Sequence, residues 1–185
     1  GILIRAFATV HARHPETRLI VVGPDSRSRR RFERSVANQG QQGIIFASGG
    51  PDGVKYSDLP RYQRSAAIFC SPATGNESQG YVLLEAMAAG VPVVASNIEG
   101  YASVITHEHD GILARPKDPD ALADALSRLI SDPALRVALA AQGRTRVEDY
   151  GWPRVAQQVL SYYERLLDTQ RGVQRARQQR FIPPK

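Results

Sequence analysis

The sequence predicts an α/β fold, in which a Rossmann-like parallel sheet is flanked by helices on both faces. Short apolar runs alternate along the chain with longer stretches that have apolar residues at helical spacing. The short runs are apolar at consecutive positions, which is typical of strands buried on both faces. Such sheets bind ligands at the carboxyl ends of their strands, so the loops that follow the strands are the expected place for a site.

The predicted elements follow one another as strand, helix, strand. Strands are expected at residues 18–23, 43–47, 66–71, 91–95 and 111–114. Helices are expected at residues 3–13, 26–38, 79–89, 119–130, 132–147 and 153–167. Local residues support several helix ends: Asp118 and Asp132 are candidate N-caps, Pro133 suits a first helical position, and Gly90 suits a C-cap.

Length and composition fit one globular domain. The 185 residues are 42% apolar and 23% charged, which is ordinary for such a domain. No apolar run approaches the roughly 18 residues that a membrane-spanning helix needs. Cys70, the one cysteine, lies in a predicted strand between Phe69 and Ser71. We therefore expect a buried thiol without a disulfide, which fits a reducing compartment.

The net charge of +6 is concentrated near the C-terminal end. Residues 171–185 contain five basic residues and no acidic residue, which leaves +1 for the rest of the chain. We predict that this tail is solvated and disordered. Contact with an anionic membrane surface is the alternative, and we expect no nucleic-acid partner.

The loop after the third predicted strand has the features of an anion site. Gly75 and Gly80 remove side chains where a ligand could approach the backbone. The helix that follows is expected to present free N–H groups at about residues 79–82, with the positive end of its dipole outward. This arrangement suits a diphosphate.

Two carboxylates flank this loop, with seven residues between them. Glu85 stands among Leu84, Ala86 and Met87, where an unpaired charge would be costly. Its partner could equally be the hydroxyl pair of a ribose or an Arg elsewhere in the chain. For Glu77, the ordinary alternative is an N-cap or a first-turn carboxylate.

The segment NESQGYVLLEAMAAGVPVVAS resembles the E-x7-E motif of family 4 (group 1) retaining glycosyltransferases. The resemblance extends over nearly the whole chain, from LIVVG to YGW and its helix. Within that family, CSPATGNESQGYVLLEAMAAG looks most similar to the phosphatidylinositol mannosyltransferase group. The resemblance implies the C-terminal, donor-binding half of a GT-B fold, without its first strand.

The resemblance also implies roles for individual residues. Glu77 would be catalytic, facing the donor sugar, and Glu85 would bind the ribose. The backbone of Val54 would contact the base. The backbone amides expected to hold the sugar and the diphosphate belong to Ser78, Gln79, Gly80, Tyr81 and Val82. No metal or other cofactor is implied.

By the same resemblance, the reaction would transfer a hexose, mannosyl or glucosyl, from a GDP- or UDP-linked donor with retention of configuration. Residues 1–151 would be the donor domain, and 152–170 a closing helix that crosses to an N-terminal acceptor domain. Residues 171–185 would be the tail. An Arg and a Lys that neutralise the leaving diphosphate are expected before Gly1, so we expect this chain alone to be inactive. A cytoplasmic protein, peripheral at the inner face of the membrane, would fit.

Other functions remain open from sequence. A nucleotide-sugar-binding chain without activity and a related GT-B sugar-nucleotide epimerase are the alternatives. A dinucleotide-binding dehydrogenase would need G-x-G-x-x-G, but the loop after Val22 reads Gly23-Pro24-Asp25. No P-loop sequence is present. The four histidines have no ligand spacing beside the motif, and we predict surface or structural roles for them.

Overall fold

The computed structural model describes residues 1–23, 26–37, 42–47 and 53–179. Five strands lie in this part of the chain: β1 Leu19–Val21, β2 Ile44–Phe46, β3 Phe69–Ser71, β4 Val93–Ser96 and β5 Ile112–Ala114. The α-helices of the same part are α1 Ile2–Arg13, α2 Ser26–Ala37, α3 Leu59–Ser65, α4 Tyr81–Ala88, α5 Glu99–Ala102, α6 Pro119–Ser131, α7 Pro133–Glu148 and α8 Trp152–Gln179. A short 3-10 helix, Tyr56–Asp58, precedes α3. Alternating strands and helices confirm the predicted α/β class.

The strands form two parallel sheets rather than the single sheet expected. One sheet has the order β1-β2, and the other has the order β3-β4-β5. Leu19 and Ile44 of the first sheet pack against the same apolar cluster as Val94 and Ile112 of the second. In the doubly wound order 3-2-1-4-5-6, another strand separates these two groups. The described residues supply no strand there, in line with the expected lack of the first strand.

The burial of the strands differs between the two sheets. All four residues of β4 are buried, as the continuous apolar pattern predicts. The same prediction is wrong for β1 and β2, where Ile20 and Ile45 are 50% and 49% exposed. These two residues pair in register and so share one face. Their neighbours Leu19 and Ile44 face the core instead, because successive side chains alternate across a strand.

The core is built mainly by α1 and α6 against the second sheet. Phe7 and Val10 of α1 are buried in one cluster with Leu126 and Leu129 of α6. Helix α6 begins where predicted, because the Asp118 carboxylate accepts hydrogen bonds from the first-turn amides of residues 120 and 121 at 3.1 and 3.0 Å. The apolar stripes predicted for these helices therefore face the core.

Helices α3, α5 and α8 differ from the predicted elements. Helices α3 and α5 were not expected, since seven and four residues are too few for a helical apolar period. Helix α8 continues to Gln179. It therefore passes the predicted end of the closing helix at residue 170, and residues 171–179 are helical where a disordered tail was predicted. Arg and Gln make up six of the nine residues 171–179 and favour helix. Residues 180–185, like the predicted helix end at Asn38, lie outside the described residues.

The chain divides into two compact units, Gly1–Arg146 and Val147–Lys185. The boundary thus falls within α7, a few residues before the predicted end of the donor domain at 151. The first unit contains both sheets and the helices that cover them, and the second contains α8. None of the described helices is both long and apolar enough to cross a membrane.

The environment of Cys70 yields a chemical prediction. Cys70 is half-buried rather than buried as expected. Its strand pairs with β4 at Val94, and this burial raises the pKa of the Cys70 thiol to about 12. The thiolate fraction at neutral pH should then be about a thousandfold below that of an ordinary cysteine. We expect alkylation by iodoacetamide at pH 8 to be at least about a hundredfold slower in the native chain than in urea. Equal rates would contradict this burial.

Candidate active site

The loop between β3 and α4 has a backbone conformation that few sequences adopt. Gly75, Asn76 and Gly80 have φ values of +151°, +61° and +64°. Glycine adopts such values freely, and asparagine tolerates the left-handed region better than most residues. Because Gly80 is left-handed, it cannot belong to a right-handed helix. Helix α4 therefore begins at Tyr81 rather than at the predicted residue 79.

The start of α4 leaves two backbone donors at the loop. The Leu83 amide already donates to the Gly80 carbonyl at 2.8 Å. The amides of Tyr81 and Val82 precede this first bond, and within the described residues neither donates to a protein acceptor. Tyr81 is 68% exposed, so solvent reaches this end of the helix. Free first-turn amides and the helix dipole both favour a bound anion here.

Glu77 lies in the exposed part of the same loop. Its Oε2 accepts a hydrogen bond from the Tyr101 hydroxyl at 3.3 Å. The N-cap of α4 is Gly80, and no side chain caps the helix. The ordinary alternative for Glu77, an N-cap or first-turn carboxylate, is therefore wrong.

Glu85 is half-buried on α4, and both of its carboxylate oxygens have partners. The Tyr56 hydroxyl donates to Oε1 at 3.1 Å, and the Gln63 side-chain amide donates to Oε2 at 3.3 Å. Among the described residues no Arg pairs with Glu85, which goes against the salt-bridge alternative. The hydrogen bond to Glu85 and the negative charge of that carboxylate raise the pKa of Tyr56. The Glu85 carboxylate is thus held by two uncharged donors, the Tyr56 hydroxyl and the Gln63 side-chain amide.

Two close backbone approaches hold the loop against α5. A Cβ on Gly100 would lie 2.0 Å from the Glu77 carbonyl oxygen. A Cβ on Gly80 would lie 2.7 Å from Cδ1 of the Tyr101 ring. Both distances are far inside van der Waals contact. Only glycine at each position permits this packing, which fixes where Glu77 leaves the backbone.

The other predicted site residues lie in the same loop or in the segment before Tyr56. Ser78 is exposed and Gln79 half-buried, and both lie between Glu77 and the start of α4. Val54 is half-buried and comes two residues before Tyr56, whose hydroxyl reaches Glu85. The Tyr56 side chain therefore connects the segment that contains Val54 to the carboxylate predicted to bind ribose.

Sequence reasoning missed Tyr56, Gln63 and Tyr101, the side chains that contact the two carboxylates. Each reaches its carboxylate from another element, across 22 to 29 positions of sequence. No local period or motif marks such a contact. Among the described residues, no group of three or more His, Cys, Asp or Glu is placed to hold a metal ion.

The contact between α5 and the loop can be tested by Gly100→Ala. The added methyl group would overlap the Glu77 carbonyl oxygen, so we expect the free energy of unfolding in urea to fall by at least about 2 kcal/mol. Gly172→Ala is the matched control, since Gly172 is also helical and a Cβ there meets nothing within 4 Å. It should stabilise the chain slightly. Equal effects of the two substitutions would show that the contact is loose.

Comparison with known proteins places this site in a family. The family model described as "Glycosyl transferases group 1" matches residues 2–146. A phosphatidyl-myo-inositol mannosyltransferase of Mycolicibacterium smegmatis is 33% identical over 164 residues, which cover 89% of this chain and 41% of that protein. The chain thus spans about two fifths of the length of this curated relative.

Solved structures agree in fold. The C-terminal domain of a group 1 family glycosyl transferase (LpcC) from Francisella tularensis superposes with a TM-score of 0.68 at 26% identity, covering 80% of this chain and 76% of that one. Anabaena Alr3699/HepE, in complex with UDP-glucose, gives a TM-score of 0.73 at 22% identity over 88% of this chain and 44% of that one. The predicted C-terminal GT-B domain is confirmed. This chain belongs to the group 1 family of glycosyl transferases.

Proposed function

We propose that the chain provides the donor site of a hexosyltransferase that takes its sugar from a nucleoside diphosphate and retains the anomeric configuration. The observation that supports this most is the placement of Glu77 and Glu85 on either side of the open first turn of α4. A donor of this kind has three parts, a sugar, a diphosphate and a ribose. The site offers a separate group for each part.

The diphosphate would bind at the amides of Tyr81 and Val82. Two N–H groups at a helix N-terminus can each donate to a phosphate oxygen, and the helix dipole adds about half a positive charge. Ser78 and Gln79 border the same turn. The backbone of Ser78, Gln79 and Gly80 would complete the contacts with the sugar and the phosphates.

The ribose would bind at Glu85. Its carboxylate already accepts two neutral donors, one on each oxygen. A vicinal diol presents two O–H donors and can take the place of the Tyr56 hydroxyl without leaving a buried charge unpaired. Tyr56 is 76% exposed, so it can turn into solvent at little cost. The Val54 backbone, near Tyr56 in sequence, would then face the base.

Glu77 would face the sugar. During transfer, the bond from the anomeric carbon to the diphosphate breaks, its electron pair leaves with the diphosphate, and positive charge develops on the sugar ring. The acceptor hydroxyl attacks on the face that the diphosphate leaves and gives its proton to the departing phosphate oxygen, and this same-face attack retains the configuration. A carboxylate beside the ring can hold the sugar hydroxyls and offset the developing positive charge.

Other parts of the proposal concern the identity of the donor and the transfer itself. The relative from M. smegmatis is named a mannosyltransferase, and the Anabaena structure holds UDP-glucose. Mannosyl and glucosyl donors, with GDP or UDP, are therefore the first to test. Transfer would also require an N-terminal acceptor domain and the cations for the leaving diphosphate, and a site that needs no metal remains part of the proposal.

Calorimetric titration of this chain with GDP-mannose and UDP-glucose tests donor binding directly. We expect one of the two to bind with 1:1 stoichiometry, and its bare nucleoside diphosphate to bind more weakly. If the folded chain binds neither compound, the proposed donor site is wrong. If it binds a donor but no sugar is transferred when an N-terminal acceptor domain is supplied, the alternative of a binding protein without activity is correct.

The two carboxylates should affect donor and nucleotide differently. Glu85→Gln leaves one acceptor oxygen in place of two, so it should weaken nucleotide and nucleotide sugar alike by about tenfold. Glu77→Gln should weaken only the nucleotide sugar, by a similar factor. Glu16→Gln is the control, because Glu16 is exposed in the turn after α1. Equal losses for the bare nucleotide in the Glu77 and Glu85 variants would contradict these roles.

A further inference from the structure

Tyr101 connects the end of β3 to Glu77. Its side chain is almost fully buried, with 1% exposed, yet its hydroxyl lies 2.6 Å from the Ser71 Oγ and 3.3 Å from the Glu77 Oε2. Burying a hydroxyl group without hydrogen-bond partners is energetically unfavourable, and the hydrogen bonds to Ser71 and Glu77 supply those partners. The hydroxyl thus lies between the last residue of a strand and the carboxylate of the loop.

The direction of the two hydrogen bonds follows from the number of protons. An ionised carboxylate only accepts, so the single hydroxyl proton of Tyr101 is donated to Glu77. Ser71 must then donate to the Tyr101 oxygen. Burial above all raises the pKa of Tyr101, so the phenol keeps this proton at neutral pH. The result is a chain of donors that ends on one oxygen of Glu77.

The ring of Tyr101 supports the same loop. It packs where a Cβ on Gly80 would stand, and Gly100, its neighbour on α5, lies under the Glu77 carbonyl. The backbone of Glu77 is therefore held by glycine contacts. Its exposed side chain has a single hydrogen bond to a described residue, from the Tyr101 hydroxyl. Without that hydroxyl, the carboxylate would be free to rotate into solvent.

We infer that Tyr101 is a positioning residue, which holds the Glu77 carboxylate in one orientation towards the donor sugar through its hydroxyl. Fixing a glutamate side chain when a ligand binds costs conformational entropy. Because the hydrogen bond from Tyr101 already orders Glu77 in the folded chain, less entropy is lost when the sugar binds. This inference rests on the proposed function of Glu77. It predicts an effect on sugar-bearing ligands and none on bare nucleotide.

Tyr101→Phe removes the hydroxyl and keeps the ring against Gly80. In calorimetric titrations of the 185-residue chain, we expect this variant to bind the nucleotide sugar about three- to tenfold more weakly. The affinity for the matching nucleoside diphosphate should be unchanged. Tyr163→Phe is the matched control, because Tyr163 is exposed on α8, and it should alter neither affinity. A loss that is equal for nucleotide and nucleotide sugar would overturn the inference.

A double substitution separates positioning from a general structural effect. In the Glu77→Ala background, Tyr101→Phe should cause little further loss, because the side chain that accepts the hydrogen bond is already gone. Fully additive losses would contradict the inference. Ser71→Ala should weaken nucleotide-sugar binding in the same direction by a smaller factor, since it acts through Tyr101.

A ligand-free measurement distinguishes failure of this inference from failure of the proposed function. Three-bond NMR couplings of the Glu77 side chain should report one dominant rotamer in the unaltered chain and averaged rotamers in Tyr101→Phe. Identical couplings in both would overturn the role of Tyr101. If the couplings differ as expected but the unaltered chain binds no nucleotide sugar, the proposed donor site is wrong and Tyr101 orders Glu77 without serving a donor.

Discussion

The close packing of the β3–α4 loop on α5 is the constraint on which the site depends. Gly100 and Gly80 stand where any Cβ would meet a backbone carbonyl or the Tyr101 ring. This packing fixes the backbone of Glu77, turns the chain through the left-handed Gly80, and starts α4 at Tyr81. The beginning of α4 at Tyr81 in turn determines where the free amides and the two carboxylates lie.

Among the described residues, neutral donors rather than cations bond to the carboxylates of the site. Tyr56 and Gln63 bond to Glu85, and Tyr101 bonds to Glu77. Hydroxyl and amide donors can be exchanged for the hydroxyls of a sugar or a ribose without separating an ion pair. A departing diphosphate needs more than this, because helix amides contribute only partial charges. The arrangement therefore suits recognition of a donor more fully than it suits catalysis.

Local patterns predicted most of the fold. The continuous apolar run at β4 and the Asp118 cap of α6 both form as expected, because each depends on neighbouring residues alone. The exposure of Ile20 and Ile45 could not be read from the sequence, since it depends on which elements cover a strand. The division into two sheets depends instead on a strand between them that the described residues do not supply. Helix α5 was missed because four residues show no helical period.

The residues of the site likewise fall into those that a local segment predicts and those that only tertiary packing brings together. The E-x7-E spacing could single out Glu77 and Glu85 as candidate site residues because both lie in one continuous segment. The family match agrees with the resemblance on which that choice depended. The hydroxyls of Tyr56 and Tyr101 were not predicted, because tertiary packing brings them to the carboxylates. The helix start shifted from residue 79 to Tyr81 because the left-handed conformation of Gly80 is not evident from its identity alone.

The central claim is that the first turn of α4 binds the diphosphate of a donor. The most direct measurement is an amide NMR titration of the ¹⁵N-labelled chain with GDP and UDP, each compared with its nucleoside. We expect the Tyr81 and Val82 resonances to move with a diphosphate and to stay in place with guanosine or uridine, because phosphate oxygens accept hydrogen bonds from those amides. Binding of a diphosphate that leaves both resonances unmoved would contradict the account.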